Sequence, residues 1–250
     1  MASVPTYQLI ISRDREALNL AAAEFWKRIA ASSIAQHGRF SVALSGGSTP
    51  RSLFELLAQP PWSASLPWAK THVFWGDERC VPADHPDSNF GMTHKALLSK
   101  IKIPAENIHR VPTELGAPEK IAAAYESTLR EFFPNSAFPA FDLNLLGLGE
   151  NGHTASLFPR TPVLHDRQHW VAGYFVDEIK ANRVTLTAAA INHSREIAFL
   201  VAGESKGAVV RDVLHGPRDP ERLPAQLIQA ESGSLTWLLD QSAAKLLPNS

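Results

Sequence analysis

Short runs that are apolar on both faces recur along this chain, and most are followed by a segment with helical spacing. A strand apolar on both faces needs cover on both sides, so the pattern predicts an α/β fold: a mainly parallel β-sheet with helices on both faces. Strands are expected at Gln8 to Ser12, Arg39 to Leu44, Thr71 to Gly76, Phe141 to Leu148, Trp170 to Phe175, Arg183 to Thr187, Glu196 to Ala202 and Leu235 to Leu239, with a shorter one at Ile108 to Val111. Helices are expected at Asp14 to Gln36, ended by Gly38, and at Pro50 to Ala58, with Thr49 as N-cap and Pro50 at the first position. Further helices fall at Ser88 to Leu98, Pro118 to Phe133, Ser205 to Leu214 and Gln241 to Leu247. Asp77 to Asn89 reads as a polar loop, and Gly216 to Pro224 as an exposed one.

Ligands of such sheets sit beyond the carboxyl ends of the strands. Three loops stand out there: Ser45 to Thr49, Asp77 to Asn89 and Gly149 to Thr154. With 250 residues, of which 44% are hydrophobic and 20% charged, the chain can bury a full core and is read as one domain spanning 1–250. Lys and Arg number 24 against 25 Asp and Glu, so a nucleic-acid partner is not expected. The single cysteine, Cys80, excludes an internal disulfide framework and fits a reducing compartment. No run has the length of a membrane span, and Met1 to Tyr7 lacks the basic start of a signal peptide, so a cytoplasmic location is expected.

The loop after Phe141 to Leu148 carries Gly147, Gly149 and Gly152, which match the spacing of a dinucleotide-binding fingerprint. That fingerprint needs a long helix next and an acidic residue about 20 positions on. Pro159 cuts short any helix starting at His153, and Asp166 and Asp177 lie to either side of the required distance. The glycines instead form a sharp turn that brings His153 close to a ligand, where a pKa near working pH suits a general base. The plain alternative is a histidine that caps or braces the turn.

Leu44 to Pro50, Leu-Ser-Gly-Gly-Ser-Thr-Pro, joins a strand to a helix N-terminus, where unpaired N–H groups and the helix dipole favour an anion such as phosphate. No Gly-Lys-Ser or Gly-Lys-Thr follows, so this is not a Walker A loop; a capped turn without a ligand is the alternative. Ser45 also sits in a near miss to the nucleophile elbow, which would make it a nucleophile, but the elbow's first glycine is missing and the helix starts too late. Gly76-Asp77-Glu78-Arg79 gathers charges at the end of a strand, either as solvated ion pairs or with Arg79 reaching ligand oxygens. Lys206 opens a helix as a solvated lysine or a phosphate contact. The remaining histidines show no ligand spacing, and Asp84, His85 and Asp87 read as loop polarity, so no metal is expected.

Ser45-Gly46-Gly47-Ser48-Thr49-Pro50, Gly76-Asp77-Glu78-Arg79 and the thirteen residues from Gly147 to Pro159 together resemble the 6-phosphogluconolactonase family. Arg183-Val184-Thr185-Leu186-Thr187, Lys206 and Leu223-Pro224-Ala225-Gln226 extend the match in the family's order. The resemblance implies a Rossmann-like three-layer sandwich that hydrolyses 6-phosphoglucono-δ-lactone in the oxidative pentose phosphate pathway, with no metal or organic cofactor. It implies His153 as the base that activates water and Arg79 as a catalytic contact to the substrate. The sugar-phosphate site would comprise Ser45, Gly46, Gly47, Ser48, Thr49, Arg183 and Lys206, with Asp77, Asn151 and Gly152 beside them. The family usually has aspartate where this chain has Asn151, an amide that can still orient the histidine ring or bind a sugar hydroxyl. Glucosamine-6-phosphate deaminase looks like a relative, but its Gly-His turn continues into an acidic Asn-Glu-Pro segment, whereas here Thr154-Ala155-Ser156-Leu157-Phe158-Pro159 follows. A sugar-phosphate sensor that binds without turnover is the alternative from another class; related modules in transcription regulators carry a DNA-binding helix-turn-helix, for which this sequence offers no spare segment or basic face.

Overall fold

In the computed structural model, which describes residues 7–248, nine strands divide between two sheets. β1 (Gln8–Ser12), β2 (Phe40–Leu44), β3 (Thr71–Trp75), β5 (Leu143–Leu146), β8 (Glu196–Val201) and β9 (Ser234–Asp240) form a six-stranded sheet in the order β1-β9-β8-β5-β2-β3. Every pairing in it is parallel. The inner strands are buried residue after residue, which is why they read as unbroken apolar runs, whereas edge strand β1 alternates in exposure. The stretch Met1 to Tyr7, read above as lacking a signal peptide, lies outside the described residues except for Tyr7.

Helices α1 (Arg15–His37), α2 (Ser48–Leu57), α3 (Trp62–Ser65), α4 (Asn89–Ala96), α5 (Pro118–Phe132), α6 (Ala188–Asn192), α7 (Gly207–His215) and α8 (Gln241–Ala244) flank the sheets. Asp14 caps α1 by accepting from the Ala17 N–H at 2.8 Å, and Gly38 ends it in the left-handed region at φ 83°. The face of α1 carrying Leu18, Ala22, Phe25, Trp26 and Ile29 is buried, with Trp26 edge-on to Phe40 of β2 at 5.6 Å between centroids. Across the sheet, Phe199 and Trp237 stack at 4.0 Å. Among the described residues no helix is long and apolar enough to cross a membrane.

Several expectations need correction. The stretch Asp77 to Asn89 does not begin as a loop: Asp77–Arg79 is a strand, β4, pairing antiparallel with β7 (Ala181–Leu186), which pairs antiparallel with β6 (Val171–Val176). These three make the second sheet, so two of the expected strands leave the parallel sheet for an antiparallel one whose hydrogen-bond partners are distant in sequence. Helix α2 starts at Ser48 with Gly47 as cap, so Thr49 and Pro50 occupy its first turn, where the missing proline N–H costs nothing. Ile108 to Val111 makes only one bridge, Ile108 to Val73. The segment Gly216 to Pro224, expected to be exposed, is so only at Pro217, Arg218, Glu221 and Arg222; Gly216, Asp219 and Pro220 are half-buried, and Leu223 and Pro224 are buried and anchor its end.

Candidate active site

The carboxyl ends of β2 and β5 and the start of α2 open on a cleft of about 270 Å³, to which β4, the end of β8 and Lys206 add walls. Ser45, Gly46, Gly47, Ser48 and Thr49 line one side, Asp77, Arg79 and Asn89 another, and Gly147 to Gly149 with His153 a third. Strands separated by up to 150 residues of chain therefore deliver their loops to one point, as parallel sheets do where neighbouring crossovers part. Three residues with expected roles stand elsewhere. Asn151 lies behind the histidine, Gly152 turns away from the cleft, and Arg183 faces Arg79 from β7.

The histidine loop folds on itself through short backbone bonds: Gly149 N–H to His153 O at 2.8 Å and Gly152 N–H to Gly149 O at 3.0 Å. Thr154 Oγ1 donates to Gly147 O at 2.8 Å and closes the turn onto the end of β5. Only a four-residue 3₁₀ turn, Pro162–His165, follows before β6 (Val171–Val176), and without a long helix the dinucleotide reading falls. Two glycines are needed for distinct reasons. At Gly149 a Cβ would lie 2.0 Å from His153 Nδ1, so the ring occupies the space a side chain would take. At Gly152 φ is +81° and a Cβ would meet Leu223, the residue that anchors the far loop beneath this turn.

His153 is held from three directions. Its ring stacks on Phe158 at 4.3 Å with planes 18° apart. Its backbone N–H donates to Asn151 Oδ1 at 3.2 Å, and its Nδ1 lies 2.5 Å from the same oxygen. Asn151 Nδ2 donates to Glu178 Oε1 at 2.8 Å, which fixes which end of the amide faces the ring. An amide oxygen only accepts, so Nδ1 carries the ring proton and Nε2 keeps its lone pair. Burial pushes the imidazole pKa below its ordinary value, with Lys206 and Arg183 acting in the same direction and Asp77 and Glu178 against it. The histidine is therefore neutral near pH 7.

The surrounding charges are positioned by a buried scaffold. Glu78, 2% exposed, accepts from the backbone N–H groups of Arg79 at 2.8 Å, Asn89 at 2.7 Å and Phe90 at 2.8 Å, tying β4 to the start of α4. Asp77 accepts from Ser156 Oγ at 2.8 Å, and Asn89 Nδ2 donates to Asp77 O at 2.9 Å, packing its side chain against Gly46. Arg79 is steered by a bond from Nη1 to Asp87 O at 2.6 Å. Lys206 Nζ stands 4.0 Å from Glu150 Oε1 at the rim. Ser45 Oγ donates to Gly46 O at 3.3 Å, a carbonyl partner and not a base, which counts against its reading as a nucleophile. Cys80 is half-buried and its thiol is pushed up to about 11, so Arg79 does not activate it.

Glu78, Asn89 and Glu178 were not singled out as site residues from the sequence. Glu78 was visible within Gly76 to Arg79 but looked like surface charge, while Asn89 and Glu178 give no local signal, because their partners are in other loops. Among the described residues, no group of three or more His, Cys, Asp or Glu is placed to hold a metal ion.

Residues 13–237 match the family model described as glucosamine-6-phosphate isomerases/6-phosphogluconolactonase. A 6-phosphogluconolactonase of Synechocystis sp. is 48% identical over 219 residues, covering 86% of this chain and 88% of the relative. One from Nostoc sp. is 47% identical over 215 residues, covering 84% and 86%. The solved 6-phosphogluconolactonase from Trypanosoma brucei superposes with a TM-score of 0.87 at 29% identity, covering 98% of this chain and 100% of that one. A histidine loop, a glycine-serine turn and a charged strand end thus converge in a fold shared with these enzymes, and the chain belongs to the glucosamine-6-phosphate isomerase/6-phosphogluconolactonase family.

Proposed function

We propose that this chain, acting as one α/β unit, hydrolyses 6-phosphoglucono-δ-lactone to 6-phosphogluconate in the pentose phosphate pathway, with His153 as general base. The observation that carries the mechanism is the Nδ1 hydrogen bond to Asn151, which leaves Nε2 free to accept a proton on a cleft shared with Arg79 and Lys206. His153 Nε2 takes a proton from water as the water oxygen bonds to the lactone carbonyl carbon. The tetrahedral oxyanion then re-forms the carbonyl, the ring C–O bond breaks, and the leaving oxygen recovers the proton from the imidazolium. Arg79 supplies a cation to the developing charge. The carboxylic acid so formed releases its remaining proton to solvent, giving 6-phosphogluconate, and no step calls on a metal or organic cofactor.

The phosphate is assigned to the start of α2. Ser48 and Thr49 lie in its first turn, where N–H groups have no acceptor within the helix and the dipole favours an anion. Gly46 makes room for the Asn89 side chain, Gly47 turns the backbone into the helix at φ +103°, Lys206 adds positive charge at the cleft wall, and Arg183 adds it from beside Arg79 on β7. Binding at this distance from the carbonyl orients the lactone toward the base.

Purified protein is expected to accelerate loss of 6-phosphogluconolactone over its spontaneous hydrolysis, and His153→Ala is expected to lower kcat by about 10²- to 10⁴-fold. No acceleration by the native protein refutes the activity, and full activity in the variant removes His153 from the chemistry. Ammonia release from glucosamine 6-phosphate in the same preparation would identify a deaminase instead.

A further inference from the structure

Asn151 serves His153 in only one of its two amide orientations. The two ends of an asparagine amide are close in size, and half a turn about the last side-chain bond exchanges Oδ1 and Nδ2. In the exchanged state Nδ2 would point its hydrogens at the His153 backbone N–H and at Nδ1. Nδ1 would then have to accept, the ring proton would move to Nε2, and the base would be lost. Aspartate has no such alternative, since both its oxygens accept.

Glu178 discriminates between these orientations. It lies in the turn Asp177 to Lys180 that joins β6 to β7, and its Oε1 accepts from Asn151 Nδ2 at 2.8 Å. A carboxylate cannot donate, so turning Oδ1 toward Glu178 would replace a charge-assisted hydrogen bond with a repulsion between acceptors. The neighbouring Lys180 is engaged with Asp177 at 3.2 Å. The His153 backbone N–H votes for the same orientation at 3.2 Å, so the carboxylate reinforces a preference the loop already has.

We propose that Glu178 is a positioning residue: by holding Nδ2 of Asn151 it fixes the Nδ1–H tautomer of His153 and makes Nε2 the base. The proposal rests on His153 being that base. It makes Glu178 matter because residue 151 is an amide, and this dependence separates it from any structural role of the turn. Of the charged groups around the imidazole, Asp77 and Glu178 favour its protonated form while Lys206 and Arg183 oppose it, so removing the Glu178 charge also makes the ring less basic.

The test is a cycle of E178A, E178Q, N151D and N151D/E178A, assayed for lactone hydrolysis across pH beside H153A. Because the Glu178 contact is exposed, E178A is expected to lower kcat only about 3- to 10-fold in the native background, with little change in KM. In the N151D background the same change is expected to cost nothing or to raise kcat, since two carboxylates would otherwise face each other. E178Q is expected to lower kcat less than E178A and to move the acid limb of kcat/KM to lower pH, a shift that loosening of the turn would not produce. Equal losses on E178A in both backgrounds, or no loss in the native one while H153A is inactive, overturn the proposal alone. Full activity in H153A overturns the base and the proposal with it.

Discussion

Arg79 and Arg183 are register partners on the antiparallel strands β4 and β7, and therefore project from the same face of the small sheet. Both guanidinium groups donate to carbonyls, Arg79 to Asp87 O at 2.6 Å and Arg183 to Asn182 O at 3.1 Å, and among the described residues neither pairs with a carboxylate. Burial, and then the Arg79 charge, hold the Arg183 pKa below its usual value. Like charges opposed in this way cost stability, and a bound anion relieves the cost. Arg183→Gln is therefore expected to leave thermal stability in phosphate-free buffer unchanged or raised, while reducing the stabilisation that added phosphate gives. If Arg183 contacts the substrate phosphate, kcat/KM should fall by about 10- to 100-fold, corresponding to about 1.5–3 kcal/mol. Unchanged kinetics would remove Arg183 from the phosphate site.

The space beside Gly149 belongs to the His153 ring. Gly149→Ala places a Cβ 2.0 Å from Nδ1, so the ring must leave its stack on Phe158 or the loop must open. Expected is a loss of about 10²-fold or more in kcat, since misplacing a reacting group by about 1 Å costs that much. The far-ultraviolet circular dichroism should remain native, and native kcat in this variant would show that the ring position is not required.

Glu78 is a carboxylate spent on backbone. Burial raises its pKa, and the three N–H groups that it accepts from pull the other way. Glu78→Gln points an NH₂ group at donors that need an acceptor, and is expected to lower unfolding stability by about 1.5–3 kcal/mol in urea titration at pH 7. Because Arg79 and Asn89 both hang from this carboxylate, kcat/KM should fall as well. An unaltered urea midpoint would mean that the loop from β4 to α4 is held by other contacts.

Two histidine sites give separate pH signatures. A general base must be neutral to act, and burial lowers the His153 pKa from 6.5, so with His153 in that role kcat/KM should be level at pH 7 and decline only as pH falls below 6.5. Away from the cleft, His109 stacks on Phe74 at 4.4 Å and lies 3.2 Å from Nδ1 of His72 through Nε2. Burial, reinforced by His72, takes His109 to about 4, and burial lowers His72 too. Both folded values lie below the unfolded one, so the unfolded chain binds more protons between them. Stability is complete above pH 6.5 and declines as pH drops toward 4, by about 1–2 kcal/mol from His109 after discounting for partial exposure, with His72 acting in the same direction. His109→Phe keeps the stack and should flatten this decline in urea midpoints measured from pH 7 to pH 4.5. An equally steep decline in the variant would assign it to other groups.

Much of this was legible in the sequence because the signals are local. The inner strands of a parallel sheet are buried on both faces, so each announces itself as an apolar run, and the turns at their ends carry glycines whose backbone geometry cannot be had otherwise. The thirteen residues from Gly147 to Pro159 hold their own conformation through contacts among themselves, from Gly149 N–H to His153 O to the Phe158 stack, and so could be read as a unit. Asp77 to Arg79 misled for the opposite reason: whether a three-residue polar segment is strand or loop depends on β7, about a hundred residues away, and no local propensity reports that pairing.

The same division runs through the site. Sequence alone determined that a histidine stands on a glycine turn, that a glycine-serine turn precedes a helix, and that both lie where a parallel sheet ends, since these follow from periodicity and backbone sterics within short stretches. Only the tertiary structure decided which nitrogen of His153 carries the proton, that Glu78 is scaffold and not surface charge, and that Glu178 stands behind Asn151. Protonation and orientation depend on burial and on hydrogen-bond partners brought in from other loops, and those exist only once the chain has closed on itself.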